Sequence, residues 1–237
     1  MPTAAIITIG DELLSGDVVD TNAVWLAKRL ERAGVHIELL ATIPDDVERI
    51  AAFVRNASAE VDAVLVTGGL GGTPDDVTRE GVAAAFEVAQ ELVPEVAALL
   101  RERFPHDPDY AARWAELPRG SRPLENPLGG APGFVLGNVY VFPGLPAEME
   151  AMFVAIEDEF RGDQPIGSWR RSYRTTESRI VGVLQQAGER HPTVRIGSYP
   201  SFDAGGGEVE IVLKSTDAGA LEAAVAWLEQ ALVEAEG

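Results

Sequence analysis

Between Thr67 and Val77 the chain reads TGGLGGTPDDV, four glycines within five residues followed at once by two aspartates. Gly68, Gly69, Gly71 and Gly72 let the backbone approach a ligand closely and reach positive φ. A helix beginning after Pro74 offers free N–H groups and the positive end of its dipole, a natural seat for a phosphate. Asp75 and Asp76 would repel that phosphate. A divalent cation, Mg²⁺ or a transition metal, reconciles the two, because such ions take oxygens from one or two carboxylates together with substrate phosphates. The same aspartates could instead be ordinary first-turn acids that favour the helix dipole or cap it. On the pair alone both readings stand.

More acids fall at equivalent places. GDELLSG, 10–16, follows the apolar run TAAIITI and brings in Asp11 and Glu12; Asp45 follows the second apolar run at IPDD. Three successive strands would then each end in carboxylates. Other chemistries are excluded by their missing residues. No lysine follows the glycines as a P-loop requires, the register of a dinucleotide fingerprint ends in Pro74, and G-x-S-x-G is absent. The chain has no cysteine, which removes disulfides, thiolate metal sites and a cysteine nucleophile. His36, His106 and His191 do not cluster, which argues against a histidine metal site or a Ser-His-Asp triad.

The elements that must carry these groups alternate. TAAIITI, VHIELLAT and DAVLVT read as buried strands at 3–9, 35–42 and 62–67. A helix capped by Asp20-Thr21 runs to about Ala33, and a second starts at Pro44-Asp45 with Val47, Ile50, Ala51 and Val54 along one side. That βαβαβ order argues for a parallel sheet covered on both faces. Helices are predicted at 77–88, 92–104 and 146–160, an irregular segment between the last two, and a hairpin at 133–144 turning at Gly137-Asn138. Residues 161–169 read as a linker. Beyond it the order β-α-β-β-α, with a strand near 171–175, a helix over 177–187 and a turn at DAGGG, suggests a small two-layer α+β domain.

The composition constrains partners. Among 237 residues, 46% hydrophobic, 38 acids face 19 bases, a net charge of −19, and only Lys28 and Lys214 are lysines. A dispersed acidic, lysine-poor surface resembles that of proteins from salt-loving archaea, and such an origin is expected: at about 1 M salt the screening length is roughly 3 Å and self-repulsion is damped. Nucleic acid is not an expected partner, since no basic footprint exists. The N-terminus lacks the charged region of a signal peptide and no apolar run is long enough to span a membrane, so a soluble cytoplasmic protein is expected.

Four blocks, IGDELLSGDVVDTN, TGGLGGTPDDVT, NPLGGAPGF and FPGLPAEME, in this order and spacing, resemble the MoaB/Mog-type molybdopterin-binding domain. The version is that of the N-terminal domain of CinA-like proteins, also found as the first domain of eukaryotic FAD synthase. The likeness covers about 3–160. TTESRI and IGSYPSF resemble the small domain that follows in CinA-like proteins. The resemblance implies a three-layer α/β/α domain with a mostly parallel sheet at 1–162, a small α+β domain at 170–237, and a ligand at the glycine-loop edge. It further implies that Gly68, Gly69, Gly71, Gly72 and Thr73 hold a phosphate, that Asp76 and Asp45 are catalytic together with Asp75, and that Asp11 and Glu12 stand near a metal. Ser15, Gly16, Asp20, Asn126, Gly133, Pro143, Gly144, Pro146 and Glu148 match the remaining site blocks.

Related loops often read GGLGPTHDD; Gly72 and Pro74 depart from that pattern, a more flexible loop without an imidazole, which changes substrate or rate. The chain is expected to be a stand-alone version without the amidohydrolase domain of full-length CinA, so deamidation of nicotinamide mononucleotide is not expected. Two functions follow from the resemblance. One is metal-dependent cleavage of a nucleotide diphosphate of the ADP-ribose or FAD type. The other is non-hydrolytic binding of molybdopterin or its adenylylated form. Relatives form dimers or trimers, which implies a homo-oligomer.

Overall fold

A computed structural model describes residues 2–162, 166–203 and 206–236 and divides the chain into two compact units, 1–162 and 163–237. In the first unit β1 (Thr3–Ile9) pairs in parallel with β2 (His36–Ile43) on one side and with β3 (Ala63–Thr67) on the other. The sheet continues through β8 (Val139–Phe142), parallel to β3, then antiparallel β7 (Gly133–Leu136) and β6 (Arg122–Leu124), in the order β2-β1-β3-β8-β7-β6. Short α1 (Asp11–Ser15), then α2 (Thr21–Arg32), α3 (Val47–Glu60), α4 (Thr78–Ala85), α5 (Pro94–Arg103), α6 (Pro108–Ala112) and α7 (Pro146–Ile156) make the connections.

Every second residue of β1 faces the same way, which puts two cores on the sheet. Ala5, Ile7 and Ile9 pack with Ile50 and Val54 of α3 and Val82 of α4; Ala4 and Ile6 pack with Leu26 and Leu30 of α2 and Met149 and Phe153 of α7. The fold is therefore α/β with helices on both faces of a mostly parallel sheet. Register aligns the strand ends: Ile9 lies beside Ile43, Thr8 beside Thr67, and Thr67 beside Phe142. Gly10, Pro44, Gly68 and Pro143 consequently leave the sheet along one edge, the place where open parallel sheets bind ligands.

Several boundaries differ from the predicted ones for local reasons. The third helix begins at Val47 rather than at Pro44-Asp45, because the Asp46 carboxylate caps it by accepting the Arg49 N–H at 2.8 Å. That leaves Asp45 outside the helix. GDELLSG is not plain loop but closes as α1, with Gly16 at φ 81° as its left-handed stop. The helix after the glycine loop ends at Ala85, where Glu87 turns to φ 56°. β5 (Glu116–Pro118) lies in the irregular segment and pairs with β4 (Gln90–Leu92), which precedes α5 and takes the first residue of the helix predicted at 92–104; both strands are too short to announce themselves by alternation.

In the second unit β9 (Gly167–Tyr173), β10 (Arg195–Asp203) and β11 (Gly206–Ser215) form an antiparallel sheet ordered β10-β11-β9. The alternating Val209, Ile211 and Leu213 pack against Ile180 of α8 (Glu177–Arg190) and Leu228 of α9 (Ala218–Glu236). β9 begins inside the segment read as a linker, of which residues 163–165 lie outside the described residues, as do 204 and 205 of the expected DAGGG turn. No helix among the described residues is long and apolar enough to cross a membrane.

α4 sits directly against α3. A Cβ added at Gly81 would lie 2.5 Å from Cγ2 of Ile50. Gly81→Leu is expected to destabilise the protein by roughly 1–3 kcal/mol, measured by denaturant unfolding; an unchanged midpoint would show that α4 is free to move away.

Candidate functional site

A cleft of about 580 Å³ opens along the edge where the parallel strands end. Its floor is built from the sheet. Asn22, on the first turn of α2 and buried, donates through Nδ2 to Thr67 Oγ1 at 3.0 Å and to the Gly144 carbonyl at 2.8 Å. Thr67 in turn donates to the Pro143 carbonyl at 2.8 Å. This network ties the ends of β3 and β8 to α2, whose N-cap is Asp20, accepting the Ala23 N–H at 2.9 Å.

The glycine loop forms one wall, and four successive carbonyls of it, Gly68 to Gly71, are bonded by the start of α4. Gly68 O accepts Thr78 Oγ1 at 2.8 Å and Gly69 O accepts the Thr78 N–H at 3.2 Å. The carbonyls of Leu70 and Gly71 accept the two guanidinium nitrogens of buried Arg79, each at 2.8 Å. The amides of Gly69, Leu70, Gly71 and Gly72 have no hydrogen-bond partner among the described residues. The glycines themselves are required by the protein as much as by any ligand. A Cβ at Gly68 would strike the Ile9 carbonyl, at Gly69 the Thr78 hydroxyl, and at Gly71 the Asp76 carboxylate. A side chain at Gly72 would meet the phenol of Tyr110, so the departure at this position leaves room for an aromatic neighbour.

Thr73 to Asp76 closes a β-turn, Asp76 N–H to Thr73 O at 3.1 Å, with Pro74 in the second position, where its fixed φ is suited. Asp76 Oδ2 accepts the Thr73 N–H at 2.8 Å and contacts its hydroxyl. Asp45 links two strand ends: Oδ2 accepts the Asp11 N–H at 2.9 Å, and Oδ1 stands over Gly69. Burial raises the Asp45 pKa above the ordinary aspartate value, the Asp11 amide opposes that, and the charges of Asp11, Glu12 and Asp75 add to it. On the opposite wall Glu148 lies against Gly130, held by Asn126 Nδ2 at 2.9 Å.

Of the residues singled out in the sequence, Glu12, Asp20, Asp45, Gly68, Gly69, Gly71, Asp75, Asp76, Pro143, Gly144, Pro146 and Glu148 line the cleft. The others stand behind it. Asp11 contributes its amide to Asp45, and Ser15 bonds Asp17 Oδ2 at 2.7 Å while Gly16 stops α1. Thr73 holds Asp76, Asn126 holds Glu148, and Gly72 faces Tyr110. Gly133 permits the close approach of β7 to the Val141 carbonyl. No group of three or more His, Cys, Asp or Glu among the described residues is arranged to hold a metal ion by itself.

The sequence reading missed Asn22, Thr67, Arg79 and Trp114. Trp114 is the one aromatic side chain among the described residues lining the cleft, fixed edge-on by Phe104 at 5.3 Å and Tyr110 at 5.7 Å. Asn22 stands in the quoted block DTN and could have been found there. Every charged side chain that lines the cleft among the described residues is a carboxylate: Glu12, Asp20, Asp45, Asp75, Asp76 and Glu148.

Residues 5–161 match the family model described as a probable molybdopterin binding domain, and residues 172–236 match that of the FAD synthase middle domain. A protein of Archaeoglobus fulgidus is 43% identical over 82% of this chain and 84% of its own length. CinA-like proteins of Frankia casuarinae and Citrifermentans bemidjiense are 37% and 39% identical over 99% and 96% of this chain. The chain spans only 59% and 58% of those two proteins. A crystal structure of CinA from Thermoplasma acidophilum, of unknown function, aligns with 68% of this chain and 99% of its own at TM-score 0.64 and 34% identity.

Because its folded pKa is raised, Asp45 binds its proton more tightly in the native than in the unfolded state. Stability is therefore lost as pH rises from the ordinary aspartate value, 3.8, through the native one, and the penalty is complete above it. Asp45→Asn is expected to raise Tm at pH 7, with the gain fading as the pH falls below that window. A variant less stable than its parent at pH 7 would contradict this account.

Proposed function

The chain belongs to the molybdopterin-binding domain family and is CinA-like, and on that premise we propose that it binds a small phosphorylated ligand and hydrolyses a nucleotide pyrophosphate with a divalent metal. The observation that carries this reading is the sign of the cleft. Four unbonded amides on the glycine loop suit a phosphate, yet six carboxylates and no cationic side chain surround it among the described residues. A phosphorylated ligand entering alone would meet net repulsion. A cation carried in with the phosphates removes it.

The acids nearest the loop would be the donors to such an ion. Asp45, Asp75 and Asp76 are the carboxylates at the loop, with Asp11 and Glu12 beside Asp45. No three acids among the described residues are arranged to hold an ion by themselves, so an ion bound here would take its remaining ligands from water and phosphate oxygens. When bound, a divalent ion neutralises charge developing on the pyrophosphate and makes a bound water more acidic.

The chain's own residues do the rest. The loop amides hold the phosphate that is not attacked. Asp45, with Asp75 and Asp76, would hold the ion, and the Asp11 amide orients the Asp45 carboxylate. Trp114 bounds the cleft where the remainder of a nucleotide would lie, and Asn126 keeps Glu148 in place. The match of the second unit to an FAD synthase domain supports a nucleotide as substrate.

A second reading, binding of molybdopterin or its adenylylated form without turnover, is favoured by the family model over residues 5–161. A cytoplasmic location, a dimer or trimer, and a high-salt working environment belong to the same proposal. Exposed Val19 and Leu145 at the cleft mouth offer apolar surface to a second copy.

Purified protein in high KCl, given ADP-ribose and FAD with Mg²⁺ or Mn²⁺, is expected to release AMP, with no release in EDTA and a loss of about a hundredfold in Asp45→Asn. Silence across the panel from folded protein, together with a fluorescent oxidised pterin recovered from it, would replace the hydrolase by the binding reading.

A further inference from the structure

The buried Arg79 has no assigned part in binding or catalysis, and it does not line the main cleft. It is 6% exposed, and no carboxylate lies within salt-bridge distance of it among the described residues. A buried guanidinium without an ion-pair partner is costly unless its donors are taken. Here two of its five N–H donors are taken by backbone, one on Nη1 by the Leu70 carbonyl and one on Nη2 by the Gly71 carbonyl. The planar fork matches two successive carbonyls, a task for which a lysine ammonium has neither the geometry nor the spread.

We propose that Arg79 is the positioning residue of the glycine loop, holding the Leu70 and Gly71 carbonyls inward so that the loop amides stay open to an anionic ligand. Thr78 does the same for Gly68 and Gly69, but through a backbone N–H and a hydroxyl. Without Arg79 the next two peptide planes would have buried carbonyls and no donor, and they would turn. The cation has a second effect. Its charge sits behind the loop, where Glu80, Asp76 and Glu116 act on it without a salt-bridge contact among the described residues, and the part they leave uncompensated offsets some of the acidity of a cleft lined by no cationic side chain among the described residues.

A separate small cavity of about 180 Å³ lies beside the loop and is lined by Arg79, Arg113 and Trp114 together with the acids Asp76, Glu80 and Glu116. It gives a small solute a route to the space that a shortened side chain would leave.

The proposal rests on the phosphate-binding reading of the cleft, and its test separates the two. Affinity for ADP with Mg²⁺ is measured by calorimetry on the full chain, and the ligand-free loop is examined by crystallography. In R79M the Leu70 and Gly71 peptides are expected to turn and the affinity to fall by about tenfold. R79K, which keeps the charge but not the fork, should lose less, and it provides the crystal if R79M does not fold. In R79A, added guanidinium ion is expected to restore affinity, an effect that a purely structural loss would not show. An R79M or R79K loop superposable on the parent, or an R79A deficit indifferent to guanidinium, would overturn the proposal. Should the parent itself fail to bind ADP, the functional reading falls, and the loop conformation in the variants still decides the role of Arg79.

Discussion

Everything at the sheet edge depends on the direction of four peptide planes. The carbonyls of Gly68, Gly69, Leu70 and Gly71 are all bonded by two adjacent residues at the start of α4, Thr78 and Arg79. A hydrogen bond to a charged group contributes about 1.5–3 kcal/mol, more than an ordinary one, so the guanidinium end of this clamp is its stronger half. The clamp explains why glycines are needed: three of the four loop glycines accommodate atoms of Ile9, Thr78 and Asp76 pressed against the backbone. It also explains why α4 must sit hard on α3, since Gly81 at their contact fixes where Thr78 and Arg79 begin.

A loop with open amides facing a ring of carboxylates is an unbalanced arrangement. The protein offsets it partly from behind, with Arg79, and leaves the front acidic. Asp45 records the imbalance, its proton held more firmly because burial and three neighbouring acids disfavour its charge. The surface carries the same sign on a larger scale, 38 acids against 19 bases. On the proposed function, cations from solution would be the complement in both places: salt for the surface, and a divalent ion arriving with phosphate for the cleft.

Much of this could be read from the residues. The alternation of apolar runs and amphipathic helices announced the parallel core, and the strand-end carboxylates and the glycine loop were visible because loops at strand ends carry their chemistry in sequence-local form. What escaped depended on tertiary placement. Arg79 looks like one more exposed helix arginine until α4 is packed. Asn22 and Thr67 meet across 45 positions. Trp114 lies in an irregular segment whose three-residue strands have no period to detect. Of the adjacent pair Asp45 and Asp46, the sequence pattern starts the helix at Pro44-Asp45; the Arg49 bond to Asp46 moves the cap one residue on and frees Asp45 for the cleft.

The central claim is that phosphate enters this cleft only with a cation. Calorimetric titration of ADP into the full chain, at fixed high KCl, with Mg²⁺ and then with EDTA, tests it most directly. The account predicts binding with Mg²⁺ and a loss of at least about tenfold in affinity without it. Equal affinity in EDTA would contradict it, and would mean that the loop amides and the buried arginine suffice for an anion despite the six carboxylates around it.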